Sequence, residues 1–221
     1  MMIMKEDAGK VFSIAKSNAS VPGCTISKAV SVKNDYYISH FSMADETDIS
    51  AESYGYYKLW IVARGEPIAY EPDGTEKRLQ TGDLFVTPIR KSVGVRTDKE
   101  AIYTEITLKE DTKMNQVLKA GEVFALKELV PYQEGKIVNM DLISDPKLKF
   151  VIMSFDEGTG LSEHAAPGEA LIFALDGEAM IGYEGKEHRI HAGENFKFDK
   201  MGKHSVTADH RFKMALLLQI D

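Results

Sequence analysis

The sequence contains very little cysteine and no long apolar segment. Cys24 is the single cysteine among 221 residues, which excludes an intrachain disulfide and a zinc site built from several thiolates. No apolar run approaches the roughly 20 residues that a membrane-spanning helix needs. Residues 1–7 become charged too soon to supply the apolar region of a signal peptide. These absences predict a cytoplasmic protein without a membrane partner.

Basic residues are too few for a dedicated nucleic-acid-binding protein. The 34 acidic and 27 basic side chains give a formal net charge of −7, whereas phosphate recognition needs a basic face. Loops typical of dinucleotide binding, of phosphate binding and of the serine hydrolase elbow are also missing from the sequence. The composition, with 43% hydrophobic and 28% charged residues, is that of an ordinary globular protein. A small molecule is therefore the partner that we expect.

The chain contains an internal repeat. At an offset of 112, residues 8–12 align with residues 120–124. A slip of one residue then changes the offset to 111, at which Gly82 aligns with Gly193. The chain length is almost twice this offset, and the apolar pattern agrees between the two halves. We interpret the pattern as a tandem duplication.

Each half reads as a series of short β-strands. Apolar runs of strand length, such as residues 170–175 and 214–218, are separated by turn-forming pairs such as Asp176-Gly177. Strands spaced roughly 8–12 residues apart are typical of antiparallel sandwiches and barrels. We therefore predict an all-β protein of two tandem barrels, residues 1–112 and residues 113–221.

Two segments of the second half resemble the conserved motifs of the cupin superfamily. Residues 161–177, with the sequence LSEHAAPGEALIFALDG, resemble the first motif. Residues 193–199, followed by Lys203 and His204, resemble the second motif. With two copies in the chain, the resemblance is to a bicupin and covers nearly the whole sequence. It implies two cupin-like barrels of the double-stranded β-helix, or jelly-roll, type.

The resemblance implies only part of a metal site. His164 and His204 stand at histidine positions of the two motifs, whereas Ala166 and Ala170 occupy the second histidine and the glutamate positions. Glu169 is one residue away from the glutamate position, so strand alternation should turn it away from the barrel interior. His164, His204 and Glu169 are the ligand-pocket candidates, and the two histidines are the candidate ligands of Fe, Mn, Ni or Zn. The alternatives are two hydrogen-bonded structural histidines or a role without metal.

Two further histidines, His188 and His191, lie three residues apart on one segment of the second copy. Side chains at that spacing cannot both point inward from a regular strand. We therefore expect both of them at the surface.

The first copy departs further from the metal motif. The positions in register with His164, Ala166, Ala170 and His204 hold Glu52, Tyr54, Lys58 and Val93. This half is either a structural partner or a differently adapted pocket. The neighbouring aromatic residues are interpreted as barrel packing, with a ring-stacking ligand site as the alternative; they are Tyr54, Tyr56, Tyr57 and Trp60.

Three functions stay open at this level. The first is a small-molecule-binding protein with its pocket in the C-terminal barrel, because small barrels enclose a cavity about the size of one ligand. The second is a cupin-type isomerase, epimerase, decarboxylase or dioxygenase, with His164 as metal ligand or general base and His204 as its partner. The third is a structural role in assembly. We rank them in this order, and the resemblance also implies a homodimer.

Overall fold

The computed structural model describes residues 4–220, most of them in antiparallel strands. Residues 1–3, the start of the segment considered above for a signal peptide, and residue 221 lie outside this range. The prediction of an all-β protein is confirmed. No helix within the described residues has the length and apolar character that crossing a membrane would require.

The strands are numbered in chain order. The first eleven are β1 (Val11–Phe12), β2 (Thr25–Lys33), β3 (Tyr36–Met43), β4 (Thr47–Glu52), β5 (Lys58–Arg64), β6 (Ile68–Tyr70), β7 (Glu76–Arg78), β8 (Asp83–Val86), β9 (Val93–Thr97), β10 (Ala101–Thr107) and β11 (Val123–Ala125). The next eight are β12 (Ile137–Ser144), β13 (Leu148–Phe155), β14 (Gly160–Ala165), β15 (Gly168–Tyr183), β16 (Lys186–His191), β17 (Asn195–Phe198), β18 (Lys203–Thr207) and β19 (Phe212–Ile220). The described residues also form two single helical turns, α1 (Ile14–Ser17) and a 3-10 turn at Leu126–Glu128.

The chain divides into two compact units. Unit 1 comprises residues 4–5, Ile14–Thr112 and Gln116–Ala125, and unit 2 comprises Glu6–Ser13, Lys113–Asn115 and residues 126–220. This division differs from a cut between residues 112 and 113 in two segments. Residues 6–13 lie in unit 2 because β1 pairs with β17, and residues 116–125 lie in unit 1 because β11 pairs with β8.

Unit 1 is built from two antiparallel sheets around an aromatic core. One sheet has the order β11-β8-β5-β10-β3-β2, and the other has the order β4-β9-β6-β7. Strand β5 is apolar along most of its length, which suits a strand whose two faces are both covered. Trp60, Val62, Phe85, Val95 and Tyr103 are members of the buried cluster.

Unit 2 uses the same plan, and one long strand contributes to both halves of its sheet. The first part of β15 pairs with β17 and β19, and its second part pairs with β16 and β18. The change occurs at Gly177, which has a φ of +67°. A Cβ atom there would lie 1.8 Å from the carbonyl oxygen of Arg211, so only glycine fits this bend.

The ladders of the two units repeat with the sequence offset. Trp60 lies opposite Phe85 in unit 1, and Ile172 lies opposite Phe196 in unit 2. Glu52 lies opposite Val93 in the first unit, just as His164 lies opposite His204 in the second. Residues in register along the sequence therefore occupy equivalent ladder positions.

Candidate functional site

The two motif histidines are brought together by adjacent strands of unit 2. His164 on β14 and His204 on β18 are Cα partners in the ladder, and their ring centroids lie 4.3 Å apart. His164 is exposed, whereas only 5% of His204 is accessible to solvent. The spacing of the motifs thus produces a contact between the two imidazoles.

Hydrogen bonds to the backbone fix the orientation of both rings. Nδ1 of His164 lies 2.8 Å from the carbonyl oxygen of Ser162, and Nδ1 of His204 lies 2.9 Å from that of Gly202. A carbonyl oxygen only accepts, so each Nδ1 donates, and Nε2 of a neutral ring keeps its lone pair. Burial lowers the pKa of His204, and the nearby His164 lowers it further, against the raising effect of the Gly202 carbonyl. His204 is accordingly held in its neutral form at neutral pH.

Aromatic rings occupy the interior next to His204. The ring of Phe198 stacks on the imidazole with centroids 3.9 Å apart, and Tyr183 packs at 5.5 Å from Phe198. A Cβ atom on Gly202 would lie 2.7 Å from the Tyr183 ring. A ligand beside the buried imidazole would therefore require these rings to move, which argues against the predicted pocket in this barrel.

Glu169 does not join the histidine pair. Ala170 belongs to the interior cluster of unit 2, and its neighbour on the strand faces the opposite way. The Glu169 carboxylate is buried and forms an ion pair with Lys197, whose Nζ lies 3.0 Å away. Lys197 also binds Asp199 at 2.9 Å. This buried network gives Glu169 a partner away from the two imidazoles.

Of the second pair of histidines, His191 lies at the surface and His188 is half-buried. His191 is exposed and lies 3.3 Å from Glu178 and 3.2 Å from Glu194, as expected for a surface position. For His188 the surface prediction is wrong. It shares the inward face of β16 with Ile190, and its half-buried ring packs 5.2 Å from that of Phe196. Strand alternation places one of the two side chains inside.

A partly open cavity of about 160 Å³ lies in unit 1. It is bounded by strands of both sheets, and it occupies the ladder positions that correspond to the histidine pair of unit 2. The side chains that give it its chemical character are aromatic and charged: Phe41, Glu52, Tyr54, Lys58, Trp60, Tyr103 and Glu105.

A chain of polar contacts runs along this cavity. The Lys58 ammonium lies 3.1 Å from Glu105 and 3.9 Å from the centroid of the Tyr54 ring. Trp60 donates a hydrogen bond from Nε1 to the same carboxylate at 2.8 Å. The Tyr54 hydroxyl donates to Glu52. The Lys58 and Glu105 side chains are only 14% and 10% exposed, so the ion pair is shielded from water more than surface pairs are.

Aromatic rings form the walls of the same cavity. Phe41 and Tyr103 stack in parallel with centroids 5.0 Å apart, and Trp60 lies 5.7 Å from Tyr103. Burial raises the pKa of Tyr103, and it raises the pKa of Tyr54 together with the hydrogen bond to Glu52. Both phenols are therefore protonated at neutral pH, and the Tyr54 hydroxyl donates its hydrogen bond to Glu52.

Comparison with known proteins gives this architecture a family context. Residues 151–219 match the family model for the cupin domain. The fold is that of the cupins. The chain is similar to a cupin 2 conserved barrel domain protein from Leptotrichia buccalis, with 28% identity, a TM-score of 0.86, and coverage of 98% of this chain and 99% of that one.

More distant solved structures share the fold only. A salicylate 1,2-dioxygenase from Pseudaminobacter salicylatoxidans is 13% identical, with a TM-score of 0.61 over 83% of this chain and 70% of its own. The protein Ylba from E. coli is 9% identical, with a TM-score of 0.62 over 98% of this chain and 95% of its own. No curated protein matches the sequence.

The metal site of metal-dependent cupins does not fit the residues present. Catalytic metal sites usually have three protein ligands, whereas the motif supplies two imidazoles, and Ala166 and Ala170 offer no donor atom. Within residues 4–220, no group of three histidine, cysteine, aspartate or glutamate side chains is arranged to hold a metal ion. His164 and His204 alone therefore fall short of the usual ligand set of a catalytic metal site.

The main residue that sequence reasoning missed is Glu105. It is the only acidic residue in the apolar strand β10, and it lies 45 positions from Trp60, the residue that it binds. A single carboxylate within a buried strand is a recognisable signal, because such groups are rarely buried without a partner. Its partner Lys58 was visible in the sequence as the residue at the glutamate position of the cupin motif.

Proposed function

We propose that this cupin-fold chain is a small-molecule-binding protein whose ligand occupies the cavity of unit 1. The observation that carries the proposal is a partly open cavity of about 160 Å³ in which the Lys58–Glu105 ion pair meets aromatic walls. Small-molecule sites are typically concave and mostly apolar, with a few converging polar groups. The pocket is thus assigned to the N-terminal barrel rather than to the C-terminal one.

We further infer that the chain is a bicupin that arose by tandem duplication. The support is the agreement between sequence offset and ladder register, illustrated by Trp60 opposite Phe85 and Ile172 opposite Phe196. In this view the copies diverged in complementary ways. Unit 1 lost the imidazoles and kept an open interior, whereas unit 2 kept two imidazoles and packed its interior with rings.

Ligand screening with a blocked variant tests the binding function. Val93 lines the cavity and is 7% exposed, so Val93→Phe should fill part of the space. We expect ligands found by thermal-shift screening to bind the wild type and to lose at least about tenfold in affinity for this variant, measured by calorimetry.

The matched control is His204→Phe, which changes the equivalent ladder position of unit 2. It should retain ligand affinity. Circular dichroism and a cooperative thermal transition establish that both variants are folded. Equal affinity of a ligand for wild type and Val93→Phe would contradict the assignment of the site.

A histidine-dependent cupin enzyme is the second candidate. The observation in its favour is that backbone carbonyls hold both Nδ1 atoms, which leaves Nε2 of the exposed His164 able to accept a proton. Metal content of untagged protein, beside a His164→Ala/His204→Ala variant, separates a metal-dependent from a metal-free form. Near-stoichiometric metal in the wild type alone would favour the enzyme over the binding protein.

A further inference from the structure

We infer that the ligand of the unit 1 cavity is a single-ring compound that is uncharged and carries hydroxyl groups. This inference rests on the proposed function, and its first support is size. The cavity measures about 160 Å³, and an apolar protein cavity of about 150 Å³ is known to admit one benzene molecule. One six-membered ring with short substituents therefore matches the available space.

The charges around the cavity disfavour an ionic ligand of either sign. Glu52 and Glu105 contribute two carboxylates, and Lys58 contributes one ammonium group. The inner end already contains a complete ion pair, because Lys58 and Glu105 lie 3.1 Å apart. In so small a space an anion would meet a carboxylate, and a cation would meet the ammonium. An anion would also lose hydration without a free cationic partner, and a cation would have to compete with the Tyr54 hydroxyl for the Glu52 carboxylate.

The polar groups match a ligand that both donates and accepts hydrogen bonds. Lys58 can only donate, whereas the carboxylates of Glu52 and Glu105 can only accept. A hydroxyl group supplies one donor and two lone pairs. It can therefore bind next to the Lys58–Glu105 pair without disrupting it. An amine that is protonated, or a carboxylate, lacks one of these two capacities.

The aromatic walls match the face of a ring. Phe41 and Tyr103 are parallel, with an angle of 3° between their planes, and Trp60 adjoins Tyr103 at 5.7 Å. Because Tyr103 is only 1% exposed and is covered by the other two rings, the ring of a ligand would pack against the half-buried Phe41. The hydroxyl groups would then point towards the charged side of the cavity.

Three probes of similar shape test the charge requirement on the full chain: benzyl alcohol, benzoate and benzylamine, which is protonated at neutral pH. We expect benzyl alcohol to bind at least about tenfold more tightly than either ion, by calorimetry or by ligand-observed NMR, because a like charge at close range is repelled. Cyclohexylmethanol is a fourth probe. Binding of either neutral alcohol supports the inference, and the ratio of their affinities distinguishes an aromatic from a saturated ring.

A single variant tests whether the cavity carboxylates set this preference. Glu52 is exposed at the cavity and accepts the Tyr54 hydroxyl, so Glu52→Gln should fold normally and keep that contact. The preference for benzyl alcohol over benzoate should fall by at least about threefold in this variant. His164→Gln, at the equivalent ladder position of unit 2, should leave the preference unchanged.

The outcomes separate the ligand class from the binding function. Benzoate or benzylamine binding as tightly as benzyl alcohol, with loss of binding in Val93→Phe, would overturn the uncharged class and leave the cavity as the binding site. If Glu52→Gln prefers benzyl alcohol over benzoate as strongly as the wild type does, the carboxylates do not select the ligand. Failure of every probe and of every compound in the broader screen would overturn the binding function itself.

Discussion

At the scale of single residues, the interior of unit 1 contains the Lys58–Glu105 ion pair, which is surrounded by aromatic side chains. Glu105 receives contacts from Lys58 and from Trp60 Nε1. An ion pair of this kind contributes little net stability when it is intact, but the removal of one partner leaves the other buried and unsatisfied. Variants of Glu105 and of Lys58 should therefore lose different amounts of unfolding free energy, and this difference can be measured.

Replacement of Glu105 should destabilise the protein more than replacement of its partner. We expect Glu105→Ala to lower the free energy of unfolding by about 3 kcal/mol, because Lys58 and Trp60 both lose their acceptor. Lys58→Met keeps the length of the side chain and should cost clearly less. Urea denaturation of both variants measures the difference. Equal losses would indicate that the pair is solvated.

A buried histidine on β3 predicts how stability depends on pH. Burial lowers the pKa of His40 to about 3, and its Nδ1 lies 3.0 Å from the Thr104 hydroxyl. The unfolded chain, with an ordinary pKa near 6.5, therefore binds more protons than the folded chain between about pH 6.5 and 3. Stability is full above pH 6.5 and falls on acidification through this window.

The variant His40→Gln should lose part of this pH dependence. Between pH 7 and pH 5 the free energy of unfolding should fall by about 2 kcal/mol less in the variant than in the wild type. Urea denaturation at the two pH values measures the change. The exposed His191 provides the control, since His191→Gln should leave the slope unaltered; an unaltered slope in His40→Gln would show that another group is responsible.

At the scale of the element, strand β15 determines the shape of unit 2. Its ladder with β19 shifts between Ala174 and Asp176, just before the glycine at which the strand changes partners. The same device occurs in unit 1 at Gly65, with a φ of +83° and a Cβ position 2.3 Å from the Glu100 carbonyl oxygen. In both units a positive φ and a close backbone contact coincide.

Substitution of the bend glycine should therefore be severe. We expect Gly177→Ala to cost at least about 3 kcal/mol, or to prevent folding, because the added methyl group meets the Arg211 carbonyl in addition to the strain of the left-handed backbone. Gly185→Ala is the control. Its φ is +77°, but the Cβ position faces open space, so the cost should be only about 1 kcal/mol. Thermal denaturation compares the two, and similar losses would mean that backbone strain alone accounts for the effect.

At the scale of the whole molecule, a homodimer stays a prediction that comes from the cupin resemblance. Strand β2 ends the six-stranded sheet of unit 1, and Ile26 and Val32 on it are more than a third exposed. An edge strand with exposed apolar side chains favours association. Light scattering of the purified chain should give twice the monomer mass of 24.6 kDa. A mass of one chain at micromolar concentration would contradict the prediction.

Much of the fold could be predicted from the sequence. The short apolar runs and turn formers indicated an all-β chain, because strand periodicity and turn chemistry are local properties. The two motif histidines fall opposite one another when β14 pairs with β18. The unit to which residues 6–13 and 116–125 belong could not be derived from the sequence, because the pairing partner of a two- or three-residue strand depends on distant parts of the chain.

The sequence by itself determined the fold class, and it shows that Ala166 and Ala170 offer no donor atom for a metal. Only the tertiary structure decided how side chains fill the interiors of the two units. In unit 2 the ring of Phe198 stacks on His204 and fills the space beside it. The equivalent residue of unit 1 at the repeat offset is Thr87, which is smaller and accepts a hydrogen bond from the Lys58 backbone amide. A cavity is the volume that side chains from several strands leave unfilled together. No single segment of the sequence contains that information.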